Sequence, residues 1–215
     1  DWRERKGAFD TGKIWAMGQF ATSANLLELI ADPKRNRQGI VPELMMFDCH
    51  ACHSPMSKKD WSKDLALTPG QPRINNASLI MVQAVVRAAA PAQEPALRGL
   101  IEQLHIQSTS PAASMQEIER IARSLNSELN RARSVVQKVS FTEPIMEKLL
   151  KELVTMAASN QYPDYASAEQ AYMSISSVVN GLARKGNSRL AQTVNSKMNR
   201  LLKLLSNDEA YDRAA

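Results

Sequence analysis

Two cysteines and the histidine that follows them are the residues of this chain whose types and spacing most clearly allow chemistry. Cys49 and Cys52 are the two cysteines of the chain, and His53 follows directly. This C-x-x-C-H pattern is the attachment motif of c-type haem. Cysteines at this spacing on a helical turn lie on the same side, so both sulfurs can form thioethers to one edge of a porphyrin while His53 binds the iron. We therefore expect one covalent haem c, attached at Cys49 and Cys52, with His53 as an axial ligand.

Three other interpretations of the cysteine pair stay open. A thioredoxin-like redox pair requires a strand followed by a helix, which the sequence does not predict here. A zinc site requires four ligands, and the two cysteines with two of the histidines His50, His53 and His105 could supply them, although the second pair lacks its usual spacing. The motif could also occur by chance, without a ligand. Haem attachment agrees best with the motif and with the helical composition.

The second axial position of the iron has one candidate that is distant from the motif. His105 lies on a predicted helix over residues 95–107. If it binds the iron, the haem is bis-histidine and its reduction potential is low; the alternative is an ordinary, half-buried histidine. Methionine is the rival ligand, but Met56 lies too close to His53 to reach the opposite face, and several other methionines suit core packing. An open sixth position is the remaining alternative.

Arg73 is a candidate partner for a haem propionate. It stands near the end of a long predicted loop over residues 54–75. A guanidinium suits a propionate because it forms charge-assisted, paired hydrogen bonds with a carboxylate. The alternative is a solvated loop arginine. Trp15 and Trp61 either pack on the porphyrin edge or fill the core.

The composition favours an all-α fold. The 215 residues are 44% hydrophobic and 23% charged, aromatic residues make up only 5%, and good helix formers recur throughout. The net charge is +5, but the 27 basic residues are spread along the chain and no nucleic-acid motif occurs, so we expect no nucleic-acid binding. No apolar run approaches the roughly 20 residues that span a bilayer, so we expect no membrane span.

Hydrophobic residues recur at helical spacing along most of the chain. Helices are predicted over residues 11–31, 76–90, 95–107, from Ser114 to Val139, 144–158, 165–184 and 188–206. A short helix is also predicted from Pro42 through the cysteine pair. Ser114 and Glu117 form the sequence pattern of a capping box. Short connections between the last four helices favour an antiparallel four-helix bundle. We thus expect an all-α chain in which a haem-bearing helical region, residues 1–110, precedes a bundle region, residues 111–215, as two regions or one continuous domain.

The segment around the motif resembles a known family. Phe47–Met56, with the sequence FDCHACHSPM, looks like the haem segment of the cytochrome c554-like multihaem family, and Trp15–Gln19 is similar to a helix that precedes it. The similarity covers about residues 13–107. It implies attachment at Cys49 and Cys52, His53 as the proximal ligand, and electron transport in the periplasm. This chain has one motif where the family has several, as a single-haem relative or a piece of a multihaem protein would.

These observations predict a periplasmic electron carrier, or one on the outer face of the cytoplasmic membrane, because haem is attached to cysteines on the export side. Its partner would be a redox protein. Two alternatives stay open: a five-coordinate haem protein acting as a gas sensor or enzyme, and a helical partner-docking module with a structural haem. The chain opens at Asp1 without a secretory signal, as a processed or trimmed chain or the C-terminal part of a longer one would.

Overall fold

The computed structural model describes residues 10–38, 41–42, 46–48, 73–110, 112 and 114–206. Over these residues the chain forms seven α-helices, one 3-10 helix and two short strands. The elements in order are α1 (Thr11–Ala31), β1 (Arg37–Gln38), β2 (Val41–Pro42), α2 (Ala77–Ala89), the 3-10 helix Pro91–Gln93, α3 (Glu94–Ser108), α4 (Met115–Val136), α5 (Glu143–Ala158), α6 (Tyr165–Arg184) and α7 (Ser188–Leu204). The predicted all-α class is confirmed. None of these helices combines the length and apolar character that crossing a membrane requires.

Helix α2 lies at the centre of the core. Ten of its 13 residues are buried. From Leu79 to Val86 its sequence contains one polar residue, Gln83. A helix that is apolar on all sides is stable only when other elements cover it. Helix α2 meets this condition because it contacts α1, α3, α5 and α6.

The longer helices bury one face each around α2. Helix α4 packs on α1 and α3, and its buried residues Ile121, Leu125 and Leu129 recur at helical spacing. Helices α5, α6 and α7 pack in chain order, and α5 and α6 also contact α2. Buried residues on both sides of residue 110 belong to one hydrophobic cluster. The core therefore crosses the predicted boundary between residues 1–110 and 111–215, and the antiparallel four-helix bundle stays a prediction.

Side-chain caps explain where two of the helices begin. The Asp10 carboxylate accepts a hydrogen bond from the Lys13 amide at 3.2 Å and starts α1. The Ser114 hydroxyl accepts one from the Glu117 amide at 3.2 Å and starts α4. Only half of the predicted capping box forms, because the Glu117 carboxylate instead accepts two hydrogen bonds from Arg120, at 2.6 and 2.8 Å.

Two glycines allow a close approach between α1, α5 and α6. A Cβ atom at Gly12 in α1 or at Gly181 in α6 would lie 2.6 Å from the Cε of Met146 in α5. Met146 is fully buried and cannot move aside into solvent. The absence of a side chain at both glycines is therefore what admits the methionine between the two helices.

The predicted short helix from Pro42 is wrong at Pro42 and at Phe47, which lie in a strand and in an isolated bridge. Val41 and Pro42 form β2, which pairs antiparallel with β1. Further along, Phe47 forms an antiparallel bridge with Ile74. The cause is a tertiary contact. The Asp48 amide and the Met46 carbonyl form hydrogen bonds with the segment before α2, and such bonds override local helix propensity. The cysteine pair, which the same prediction placed on this helix, lies outside the described residues.

Candidate functional site

The segment that leads into the cysteine motif is fixed beside the start of α2. The Asp48 amide donates to the Arg73 carbonyl at 2.7 Å, and the Asn75 amide donates to the Met46 carbonyl at 2.9 Å. These two bonds flank the bridge between Phe47 and Ile74. Asp48 immediately precedes Cys49 in the sequence. The chain therefore enters the motif from a defined place, although Cys49, Cys52 and His53 lie outside the described residues and their predicted roles stay predictions.

A small pocket lies beside the residues that precede α2. It is lined by Ile74, Asn76, Leu79, Ile101, Leu104, His105 and Ser108. Most of this lining is aliphatic, and the polar contributions come from three side chains at one end of α3 and the start of α2. Ile74 thus both bridges to Phe47 and lines the pocket beside His105.

His105 is half-buried in this pocket, and its surroundings favour the neutral imidazole. Burial lowers the pKa of His105 below its usual value, and the positive charge of Arg73 lowers this pKa further. Neutral imidazole is the form of histidine that binds metals. Among the residues that the structure describes, none forms a hydrogen bond with the ring nitrogens of His105. The surroundings of His105 therefore favour the protonation state that metal binding requires.

Arg73 is buried, so its interpretation as a solvated loop arginine is wrong. Its side chain is 2% exposed, and its guanidinium forms ion pairs with Asp48 at 3.9 Å and with Asp164. Burial of an arginine requires such partners because an isolated charge is costly to remove from water. The predicted contact of Arg73 with a haem propionate stays a prediction, and within the chain the guanidinium already serves two carboxylates.

Asp164 connects this cluster to the start of α6. One of its carboxylate oxygens accepts a hydrogen bond from the Ser167 amide at 2.6 Å, and the Ser167 hydroxyl in turn accepts from the Asp164 amide at 3.2 Å. This is a complete capping box. The other carboxylate oxygen meets Arg73. Arg73 thus links the residue before Cys49 to the first turn of α6.

Sequence reasoning missed two charged members of the cluster. Asp48 adjoins the motif, but no sequence pattern marks it as part of a site. Asp164 looks in the sequence like an ordinary residue before a helix. A signal for Asp164 does exist, because aspartate directly before an apolar-periodic segment is a preferred N-cap. No local pattern relates either residue to Arg73. Trp15 is partly buried against the core, and Trp61 lies outside the described residues.

No metal cluster occurs within the described residues, since no three of their His, Cys, Asp and Glu side chains come together. Both cysteines lie outside those residues, and the zinc interpretation stays open with them. Comparisons with protein-family models, curated proteins and solved structures give no match to this chain.

Proposed function

We propose that this chain is a periplasmic c-type cytochrome that carries one covalent haem and exchanges electrons with a redox partner protein. Cys49 and Cys52 would attach the haem, and His53 and His105 would bind its iron. The observation that supports this proposal is the contact of residues 46–48 with residues 73–75, because it brings the entrance of the motif beside the pocket of His105. Phe47, two residues before the motif, thus bridges to Ile74, which also lines the pocket of the one distant histidine.

The chemistry of the pocket agrees with a low-spin electron carrier. An iron with two strong axial ligands has no open position for a substrate, so it changes oxidation state with little rearrangement. The residues around His105 are mostly aliphatic, and such residues would limit water beside a haem whose iron His105 bound. The pKa of His105 lies below its usual value, so protonation competes little with iron binding near neutral pH.

The helical framework supplies the rigidity that this function requires. The pocket is built on α2 and α3, and α2 is enclosed by five other helices, α1 and α3 to α6. In this proposal the haem-bearing region is residues 1–110, and the helices of residues 111–215 support it, because α4 packs on α1 and α3 while α5 and α6 pack on α2. Removal of residues 111–215 would expose the core of the haem-bearing region.

An absorption spectrum of the matured protein, oxidised and then reduced, tests the proposal directly. We expect a low-spin haem c spectrum in both states and a mass equal to the polypeptide plus one haem. Acidic, denaturing extraction should leave the haem on the wild-type chain and release more of it from Cys49→Ala or Cys52→Ala. Matured protein that is colourless and has the mass of the bare polypeptide would overturn the proposal.

The axial role of His105 has its own test. His105→Ala should change the spectrum while the haem stays attached, because the thioethers do not depend on the second axial ligand. Gln103→Ala, at an exposed position on the same helix, is the matched control and should leave the spectrum unaltered. A wild-type spectrum in His105→Ala would remove His105 from the iron.

A second candidate function is a five-coordinate haem protein that senses a gas or transforms a small ligand. Asn76 and Ser108 favour it, because both polar side chains line the pocket beside His105 and could donate hydrogen bonds to an iron-bound ligand. A high-spin ferric spectrum that shifts on addition of cyanide or nitric oxide would select this function. A ferric spectrum that is low-spin and insensitive to both would select the electron carrier.

A further inference from the structure

Three charged side chains meet under the segment that enters the motif. Arg73 and Asp48 are each 2% exposed in their side chains, and Asp164 is 14% exposed. Buried ion pairs contribute little net stability compared with apolar side chains, while their geometry is restrictive. A guanidinium is a rigid planar fork with several donors, so it fixes the relative positions of the carboxylates that it contacts.

Arg73 holds Asp48 in two independent ways. The Arg73 carbonyl accepts the Asp48 amide at 2.7 Å, and the Arg73 guanidinium pairs with the Asp48 carboxylate at 3.9 Å. The same guanidinium is oriented by Asp164, whose own position follows from its capping bonds with Ser167. The guanidinium therefore connects the start of α6 to Asp48, and Asp48 is also held by its amide bond to the Arg73 carbonyl.

We propose that Arg73 is a positioning residue for the attachment motif, and that the Asp48–Arg73–Asp164 cluster fixes the entrance to Cys49 before any cofactor binds. This role differs from the propionate contact that the sequence suggested for Arg73, and it deepens the proposed function, on which it rests. It assigns Asp164 a second task beside helix capping. The position of the first thioether relative to His105 would then be set by the protein and not by the porphyrin.

The variant Asp164→Asn separates the two tasks of this residue. Asparagine caps helices about as well as aspartate, so α6 should keep its start while Arg73 loses a charged partner. Hydrogen exchange of the Asp48 amide, measured on the full chain, reports whether the entrance stays fixed. We expect this amide to exchange about tenfold faster or more in the variant, as loss of one charge-assisted hydrogen bond predicts. The fraction of chains with covalent haem should fall, and the reduction potential of the remainder should shift.

Glu94→Gln is the matched control. It removes the carboxylate that Arg87 contacts at 3.2 Å at the opposite end of α2, and so breaks an ion pair of the same chemistry away from the motif. We expect no change in Asp48 exchange, haem fraction or potential beyond that caused by general loss of stability. Arg73→Lys is the second variant, should Asp164→Asn fail to fold, since it keeps the charge and loses the fork.

The outcomes separate the two proposals. Asp48 exchange as slow as in the wild type, or a haem fraction and potential equal to those of Glu94→Gln, would overturn the positioning role. A wild-type chain without haem would overturn the cytochrome proposal. If Asp164→Asn still speeds exchange of the Asp48 amide in such a chain, the cluster is supported as an anchor that does not depend on a cofactor. Faster exchange together with reduced haem attachment supports both.

Discussion

The two ends of α2 each carry an arginine paired with carboxylates, in different surroundings. Before the N-terminal end, the Arg73 side chain is 2% exposed and pairs with two aspartates. Near the C-terminal end, the Arg87 side chain is 23% exposed and pairs with Glu94 at 3.2 Å. Arg98, 48% exposed, joins the same carboxylate at 3.4 Å. The clusters differ mainly in the arginine, since Asp164 and Glu94 are similarly exposed, at 14% and 16% of their side chains.

Similar ion-pair chemistry has different consequences at the two ends of α2. A solvated pair gains little and loses little when it is broken, because water replaces the lost partner. A buried pair leaves an uncompensated charge when one member is removed. The buried cluster is the one beside the motif and His105, where position matters for the proposed haem. The more exposed cluster joins α2 to α3, and Arg87 also donates a hydrogen bond to Gln161, at 3.2 Å, away from the motif.

The largest expected effect comes from removing each arginine in turn. Arg73→Gln should lower the free energy of unfolding by about 3–5 kcal/mol, because two carboxylates lose their buried partner. Arg87→Gln should lower it by less than about 1 kcal/mol. Urea unfolding followed by circular dichroism measures both values under the same conditions. Equal losses for the two variants would mean that burial does not distinguish the two ends.

A smaller effect is expected from acid, and only at the N-terminal end of α2. Burial and Arg73 keep the pKa of His105 below its unfolded value near 6.5. Between the two pKa values the unfolded chain binds more protons than the folded chain, so stability falls as the pH is lowered through this window. Iron binding by His105 would act with the same sign, since only neutral imidazole binds.

The measurement for this prediction is the urea midpoint between pH 7.5 and 5. The midpoint of the wild type should decrease more steeply on acidification than that of His105→Gln, since His50 and His53 are common to both chains. Arg87→Gln should follow the wild-type slope. Identical slopes for wild type and His105→Gln would show that the folded and unfolded states hold His105 with the same pKa.

The smallest effect concerns salt. The Arg98–Glu102 pair, at 3.2 Å, lies four residues apart on α3 with both side chains about half exposed. Such pairs contribute about 0.3–0.5 kcal/mol at low ionic strength. A double-mutant cycle with Arg98→Ala and Glu102→Ala should give a coupling energy near zero in about 1 M salt. The corresponding cycle on Arg73 and Asp164 should keep most of its coupling energy in the same salt. A comparable decrease of the coupling energy in both cycles would contradict the burial of Arg73.

Local signals in the sequence were sufficient for most of the helices. The bounds of α1 and α6 agree with the predicted residues 11–31 and 165–184, because apolar periodicity and aspartate caps are properties of neighbouring residues. The predicted helix over residues 76–90 likewise agrees with α2, Ala77–Ala89. The half-buried state of His105 was one of the two alternatives that the sequence left open.

Features that depend on distant partners were not predictable in this way. The helix expected from Pro42 failed because residues 46–48 bond to residues 73–75, which no local pattern announces. Arg73 follows a long predicted loop, and only the arrival of Asp48 and Asp164 explains its burial. The sequence indicated Arg73 and His105 as candidates, whereas Asp48, Asp164 and their contacts with Arg73 came only from the structure.

The packing of Met146 against Gly12 and Gly181 has a consequence for chemical ageing of the protein. A methyl group added at either glycine would collide with the Met146 side chain, and this side chain has no exposure to solvent. Peroxide should therefore attack it more slowly than the exposed Met173. Once converted to the sulfoxide, the enlarged polar side chain would act as a wedge between α1 and α6, so oxidation and loss of native packing should occur together.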